Sequence, residues 1–320
     1  MVIVFHDPSE VPTGFGPSVV AIGKFDGVHS GHRAVVARAR IEAEGTGARV
    51  VAVTFDRNPL SFLRPDLCPQ PLSSLDQKID LLAGEGVDAV LVLAFDADLA
   101  AVPARAFVER FLVEALGATT VMVGDDFRFG RGGEGDPDLL RELGRELGFS
   151  VDVVGDVQGA GRRVSSTWVR SLLEAGDVEG AGRLLGRPHT MRGEVVHGLK
   201  RGRELGFPTA NLSADAEGFI PADGVYAGWL VDLGPVDASS RAVTKYPAAI
   251  SVGTNPTFDD VPVRQVEAYV LDETSLDLYG HRVEVQFTHR VRGMVAFEGI
   301  EPLRVQMADD VDRVRKALAG

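Results

Sequence analysis

The sequence predicts an α/β chain in two parts: a doubly wound parallel sheet over residues 1–187, then a small antiparallel β-barrel with a terminal helix over 188–320. Three observations carry this. Through the first part, apolar runs rich in β-branched residues alternate with amphipathic helical segments, the pattern of strands covered on both faces. From "RPHT" (187–190) onward the helical period gives way to strand-like runs broken by Gly, Pro and Asp. It returns only in the closing "EPLRVQMADDVDRVRKALAG".

In chain order, "SVVAIG" (18–23), "ARVVAVTF" (48–55), "DAVLVLAF" (88–95), "TTVMVG" (119–124) and "SVDVVG" (150–155) read as buried strands. Between them, "HRAVVARARIEAEG", "SLDQKIDLLAGEG", "ARAFVERFLVEALG" and "DPDLLRELGRELG" are amphipathic at helical spacing, and each ends at glycine, a common helix stop. Such alternation implies βαβ units in an open sheet, whose ligands gather at the carboxyl ends of the strands. Chemistry is therefore expected in the loops after "VVAIG", "VAVTF" and "TVMVG". Two short helices, "TWVRSLLEAG" and "VEGAGRLLG", close the first part. "MRGEVVHG", "GVYAGWLVDL", "KYPAAISVG", "RQVEAYVLD" and "HRVEVQFTHRV" supply the barrel strands.

Composition narrows the class of function. The 320 residues fit two domains at ~150 residues each, and 45% hydrophobic residues suffice for two cores. A net charge of −13 argues against nucleic-acid binding, which needs a basic face, but leaves room for a small anionic ligand held by a local cluster of donors. The single cysteine, Cys68, excludes an internal disulfide and a cysteine-rich metal site. The start "MVIVFHDPSE" lacks the basic and apolar regions of a signal peptide, and no run of ~18 apolar residues suggests a membrane span. A cytoplasmic protein is the expectation.

The first candidate site is "GKFDGVHSGHR" (23–33). Gly23 and Gly27 permit a sharp turn around Phe25 and Asp26, and Ser30 is placed to cap the following helix. His29 then stands just before the helix and His32 in its first turn, both near the positive end of the helix dipole. Either histidine alone reads as an ordinary structural residue. Together they suit a phosphate better than a metal, since metal-binding pairs on helices usually stand four apart with a third ligand elsewhere. Further along, Ser166 and Thr167 as first-turn donors with Arg170 one turn on would make a pyrophosphate clamp.

The second candidate site is "GEVVHGLKRGRELGFPTANL" (193–212). Gly193, Gly198, Gly202 and Gly206 free the backbone to approach phosphate. After the Pro208 turn, Thr209 and Asn211 offer hard oxygen ligands of the kind Mg²⁺ shares with a nucleotide.

The first stretch resembles the HxGH signature of the nucleotidyltransferases, in which two histidines bind ATP phosphates. "VGDDFRFGRGGEGD" (123–136), "VSSTWVR" (164–170) and "LSSLDQK" (72–78) resemble the phosphate and flavin loops of its flavin-adenylylating members. The second stretch, with "GVYAG" (224–228), "SVGTNPTF" (251–258), "VEAYVLD" (266–272) and "DLYG" (277–280), is similar to riboflavin kinases. Together these motifs cover nearly the whole chain and resemble the bacterial bifunctional riboflavin kinase/FAD synthetase family.

The resemblance implies an HxGH, Rossmann-like fold for the first part and two reactions in one chain. Riboflavin is phosphorylated by ATP to FMN, and FMN is adenylylated to FAD with release of pyrophosphate. It further implies Glu267 as general base, Asp125, Asp126, Phe127, Phe129 and Arg292 as flavin contacts, Mg²⁺ as cofactor and flavin as substrate or product. One departure stands out: "FDRNP" (55–59) has Arg57 and Asn58 where the family commonly has proline and histidine. That keeps open the alternative of a riboflavin kinase with an impaired adenylyltransferase domain; a separate alternative is a non-catalytic flavin- or nucleotide-binding sensor using the same pockets. Lys24, in place of a frequent asparagine, reads equally as a phosphate contact or a solvated loop residue.

Overall fold

The computed structural model describes residues 2–198, 207–236, 243–255, 263–273 and 276–319. Packing divides the chain into Met1–Ser166 and Thr167–Gly320.

The first unit is a six-stranded, fully parallel sheet. Its strands are β1 (Ile3–Phe5), β2 (Ser18–Ile22), β3 (Arg49–Phe55), β4 (Ala89–Leu93), β5 (Ala118–Gly124) and β6 (Ser150–Val154), in the order β1-β4-β3-β2-β5-β6. The chain steps outward from β2 through β3 to β4, then returns to place β5 on the other flank of β2. The switch point therefore lies between β2 and β5, where an open sheet parts its loops into a crevice. β2, β4 and most of β3 are buried throughout, which is why they read as uninterrupted apolar runs.

Helices cover both faces. α1 (Ser30–Ala43) and α3 (Leu75–Gly84) contribute Val36, Ala39 and Leu82 to one core, with α2 (Pro59–Leu63) a short helix after β3. The opposite core takes Ala104 and Phe107 from α5 (Ala104–Phe107), which follows α4 (Ala97–Ala100), and Leu140 and Leu143 from α6 (Pro137–Leu147). The segment expected as one helix over "ARAFVERFLVEALG" changes to a π-helix at Val108–Ala115. β1 escaped the sequence reading because three residues carry no measurable period. A small hairpin, β7 (Gln158–Gly159) with β8 (Arg162–Arg163), follows β6.

The second unit begins with α7, whose helix spans Ser166–Ala175, and α8 (Val178–Leu185). α7 is tied to the barrel unit: Leu173 O accepts the Ala222 amide at 2.9 Å, and Ala175 O accepts Arg290 Nη1 at 2.9 Å. The barrel strands are β9 (His189–Val196), β10 (Thr209–Leu212), β11 (Gly224–Pro235), β12 (Thr244–Asn255), β13 (Val263–Val270) and β14 (His281–Arg292). They close in the order β10-β13-β12-β11-β14-β9, and every pairing is antiparallel. β10 adds a sixth strand to the five expected, which did not include "TANL" after the Pro208 turn. Along β13 the alternation is plain. Val266, Ala268 and Val270 are buried, while Glu267 and Tyr269 face outward toward the C-terminal helix Ile300–Ala319 and the segment before it. The expected architecture is present in both parts.

Candidate active sites

At the carboxyl end of β2 the chain reverses sharply before α1. Phe25 (φ 50°), Gly27 (φ 76°) and Val28 (φ 39°) all take left-handed backbone within four residues. Glycine does so freely, whereas each of the other two costs about 1–3 kcal/mol. Burial holds them there, since Phe25 and Val28 are both sealed in the core beneath α1.

The turn is pinned from two sides. Asp26 Oδ1 accepts the Leu72 amide at 2.8 Å, and the Gly27 amide donates to Ser73 Oγ at 3.3 Å. Ser166 Oγ donates to the Asp26 carbonyl at 2.9 Å. The histidine turn, the 72–78 segment and Ser166 therefore meet. Thr167 and Arg170 follow Ser166 on α7, where Arg170 is buried.

His29, rather than the expected Ser30, is the N-cap of α1. Its backbone is extended and its side chain makes no capping bond, whereas Ser30 is already helical. The His29 and His32 rings stack at 3.8 Å between centroids, and Phe25 meets His32 edge-on at 5.3 Å. His32 Nδ1 is buried without a hydrogen-bond partner. Burial above all, and then the charges of His29, Lys24, Lys78 and Arg163, hold the His32 imidazole well below its ordinary pKa. It is thus a neutral hydrogen-bonding group at pH 7, with an unsatisfied nitrogen at the positive end of a helix. Such a turn is chemically suited to receive an anion.

The departure at "FDRNP" has a structural explanation. Asn58 caps α2, its side-chain oxygen accepting the Leu60 amide at 3.1 Å. Arg57 pairs with Asp56 at 3.2 Å and is otherwise exposed, so its charge is already matched by a carboxylate. A further cation is Lys78, the last residue of the expected "LSSLDQK" segment, to which the sequence reading gave no role of its own. It is 8% exposed on the inner face of α3, in step with Leu75 and Leu82. A lysine interrupting an apolar stripe at i, i+3 and i+4 spacing was the available signal.

The four residues of the expected flavin segment have different surroundings. Asp126 pairs with Arg163 at 3.0 Å, and Asp125 is exposed beside it. Phe127 stacks on Phe129 at 5.4 Å, and Phe129 itself is sunk in the core, its ring lying over Gly135.

The barrel holds a second cluster. Asn211, Glu267 and Ser251 are directly opposed across β10, β13 and β12, with Thr209, Tyr269 and Ala249 in the next outward row. Thr209 Oγ1 donates to Glu267 Oε2 at 3.3 Å, and Asn211 Nδ2 donates to Thr209 Oγ1 at 3.3 Å. This carboxylate–hydroxyl–amide group opens on a cavity of 340 Å³ walled on the far side by Met294, Phe297, Leu303 and Met307. Arg292 also lines it, held by Asp310 through bonds of 2.7–3.0 Å.

The glycines have different reasons for being there. A Cβ on Gly198 would stand 2.5 Å from the Asn211 amide, so glycine makes room for that side chain. At Gly193 a Cβ would strike Ala216 at 2.8 Å, a matter of packing. Pro208 directly precedes β10, and Gly202 and Gly206 lie outside the described residues. Among the described residues no group of three or more His, Cys, Asp or Glu is placed to hold a metal ion, and no helix is long and apolar enough to cross a membrane.

An anion turn at the switch point of one unit and a carboxylate beside hydroxyl and amide on the other mark a transferase working on phosphate groups. Comparison with known proteins gives the same division. The FAD synthetase family model matches residues 13–168, and the riboflavin kinase family model matches residues 185–318. The bifunctional riboflavin kinase/FMN adenylyltransferase of Pseudomonas fluorescens is 39% identical over 302 residues, covering 94% of this chain and 93% of that protein. Its namesake in Escherichia coli K12 is 37% identical over 305 residues, with 95% and 93% covered. A crystal structure titled macrolide-efflux protein, from Streptococcus pneumoniae, superposes with a TM-score of 0.83 at 30% identity over 98% of both chains. The chain belongs to the bifunctional riboflavin kinase/FMN adenylyltransferase family, and it carries both activities.

Proposed function

We propose that residues 188–320 phosphorylate riboflavin at the Glu267 cluster and that residues 1–187 adenylylate FMN at the histidine turn. The observation that carries this is the cross-strand group Thr209–Asn211–Glu267, a carboxylate beside two hard oxygen ligands opening on a largely apolar cavity of 340 Å³.

In the first reaction Glu267 takes the proton of the riboflavin 5′-hydroxyl as its oxygen bonds to the γ-phosphorus of ATP. The bond from that phosphorus to the bridging oxygen breaks, and ADP leaves. Thr209 Oγ1 and Asn211 Oδ1 would hold Mg²⁺, which when bound neutralises nucleotide charge. In the second reaction an FMN phosphate oxygen bonds to the α-phosphorus of another ATP, and pyrophosphate leaves with the electrons of the broken bridge. His29 and His32 donate hydrogen bonds to the phosphates there, while the α1 dipole favours the same charge. Ser166, bonded to the Asp26 carbonyl, borders the leaving pyrophosphate, and Gly23, Phe25, Asp26 and Gly27 shape the turn. Asp125, Asp126 and Phe127 border the flavin there, Phe129 supports them from the core, and Arg292 borders the flavin of the kinase site. Riboflavin, FMN and FAD are substrates or products, never prosthetic groups.

Two incubations of the purified chain with ATP and Mg²⁺ test the division. Riboflavin should yield FMN with ADP and then FAD with pyrophosphate, whereas supplied FMN should yield FAD and pyrophosphate with no ADP. FMN accumulating with no FAD from either substrate would remove the adenylyltransferase assignment.

A further inference from the structure

Lys78 has no role in the reactions as described, yet its surroundings are unusual for a lysine. Its ammonium donates to Lys24 O at 3.3 Å, to Thr54 Oγ1 at 3.2 Å and to Phe55 O at 2.8 Å. Those three oxygens use all three N–H bonds, and none is charged. Among the described residues no carboxylate lies within salt-bridge distance of Nζ. Thr54 Oγ1 also donates to Lys24 O at 3.2 Å, so Lys78 closes a polar knot joining the end of β3 to the loop after β2. That loop is the histidine turn. A buried cation whose direct partners are all neutral dipoles, with the Asp26 and Asp56 carboxylates acting only at longer range, is costly unless an anion comes nearer.

We propose that Lys78 is a positioning residue for adenylyl transfer, fastening the carboxyl ends of β2 and β3 beneath the phosphate turn and supplying the fixed positive charge that Arg57 and Asn58 do not. The proposal rests on the reading of that turn as the adenylylation site. Lys78 has no N–H left for substrate, so it acts through the loops it holds and through its field.

Its protonation sets both effects. Burial lowers its pKa to about 8, against the opposing pull of Asp26 and Asp56. The other charged or titratable groups around the turn are Lys24, His29, His32 and Arg163, with Asp76 and Asp80 on its own helix. Loss of the proton leaves Nζ with two donors for three oxygens. The knot then loosens just as the charge disappears, so FAD formation should fall as pH rises through about 8.

The test follows kcat/KM for ATP against pH with supplied FMN, in wild type, Lys78→Arg and Lys78→Met, with riboflavin phosphorylation by each preparation as the control. Wild type should lose adenylylation above pH ~8 while the kinase reaction shows no such limb. Lys78→Arg, which keeps its charge, should retain activity and carry the limb to higher pH. Lys78→Met should be roughly 10- to 100-fold slower at neutral pH, short of the loss expected for a direct donor, with a flat profile and normal kinase activity. A wild-type profile without the limb overturns the proposal even if neither variant folds, as does an identical limb in Lys78→Arg. Absence of FAD in wild type at every pH would instead refute the underlying assignment, and the proposal with it.

Discussion

Glu267→Gln should slow FMN formation from riboflavin by roughly 10²- to 10⁴-fold, the usual span for loss of a positioned general base. The substitution keeps shape and can still accept the bond from Thr209 Oγ1, which spans 3.3 Å in the native cluster. What it removes is the capacity to take the hydroxyl proton as the phosphorus–oxygen bond forms. Glu267 faces the cavity because β13 alternates, with Val266 and Ala268 buried on the opposite side, so the amide should leave the barrel core undisturbed. Chromatographic resolution of FMN and FAD provides the readout. FAD formation from supplied FMN should be normal in the same preparation.

His32→Ala should do the reverse, lowering FAD formation by roughly 10²- to 10³-fold while FMN formation continues. The argument comes from the ring's surroundings. His32 stacks on His29, and its Nδ1 is buried with no partner. It stays neutral because burial and neighbouring cations depress its pKa well below 6.5. On the proposed reading, removing such a group takes away a hydrogen bond to the phosphates and the ring on which His29 stacks. Because burial and neighbouring cations hold the His32 ring well below its ordinary pKa, FAD formation by the wild type should not depend on protonation of this ring near pH 7.

Much of this organisation can be read from the sequence, for physical reasons. Buried parallel strands must be apolar on both faces, so β2, β3 and β4 announce themselves as unbroken β-branched runs. The histidine turn is legible because a glycine-rich turn between strand and helix has few other uses. Short or exceptional elements are not. β1 is three residues long, and β10 hides behind Pro208. A capping residue is decided by one backbone dihedral, which separates His29 from Ser30 without any difference in composition. Phe129 and Phe127 look alike in "DDFRFG", yet only packing sends the first into the core. Lys78 is the most telling case. Its role depends on three oxygens from segments 23–54 residues away, which no local pattern encodes.

Two separate sites in one chain form the central claim, and mixing the two variants tests it most directly. Glu267→Gln alone should make little FMN from riboflavin, and His32→Ala alone should stop at FMN. Incubated together with riboflavin, ATP and Mg²⁺, they should make FAD, because FMN released by one protein is adenylylated by the other. If each variant lost both activities while remaining folded, or if the mixture made no FAD although each partial reaction was intact, the account of two independent sites would be contradicted.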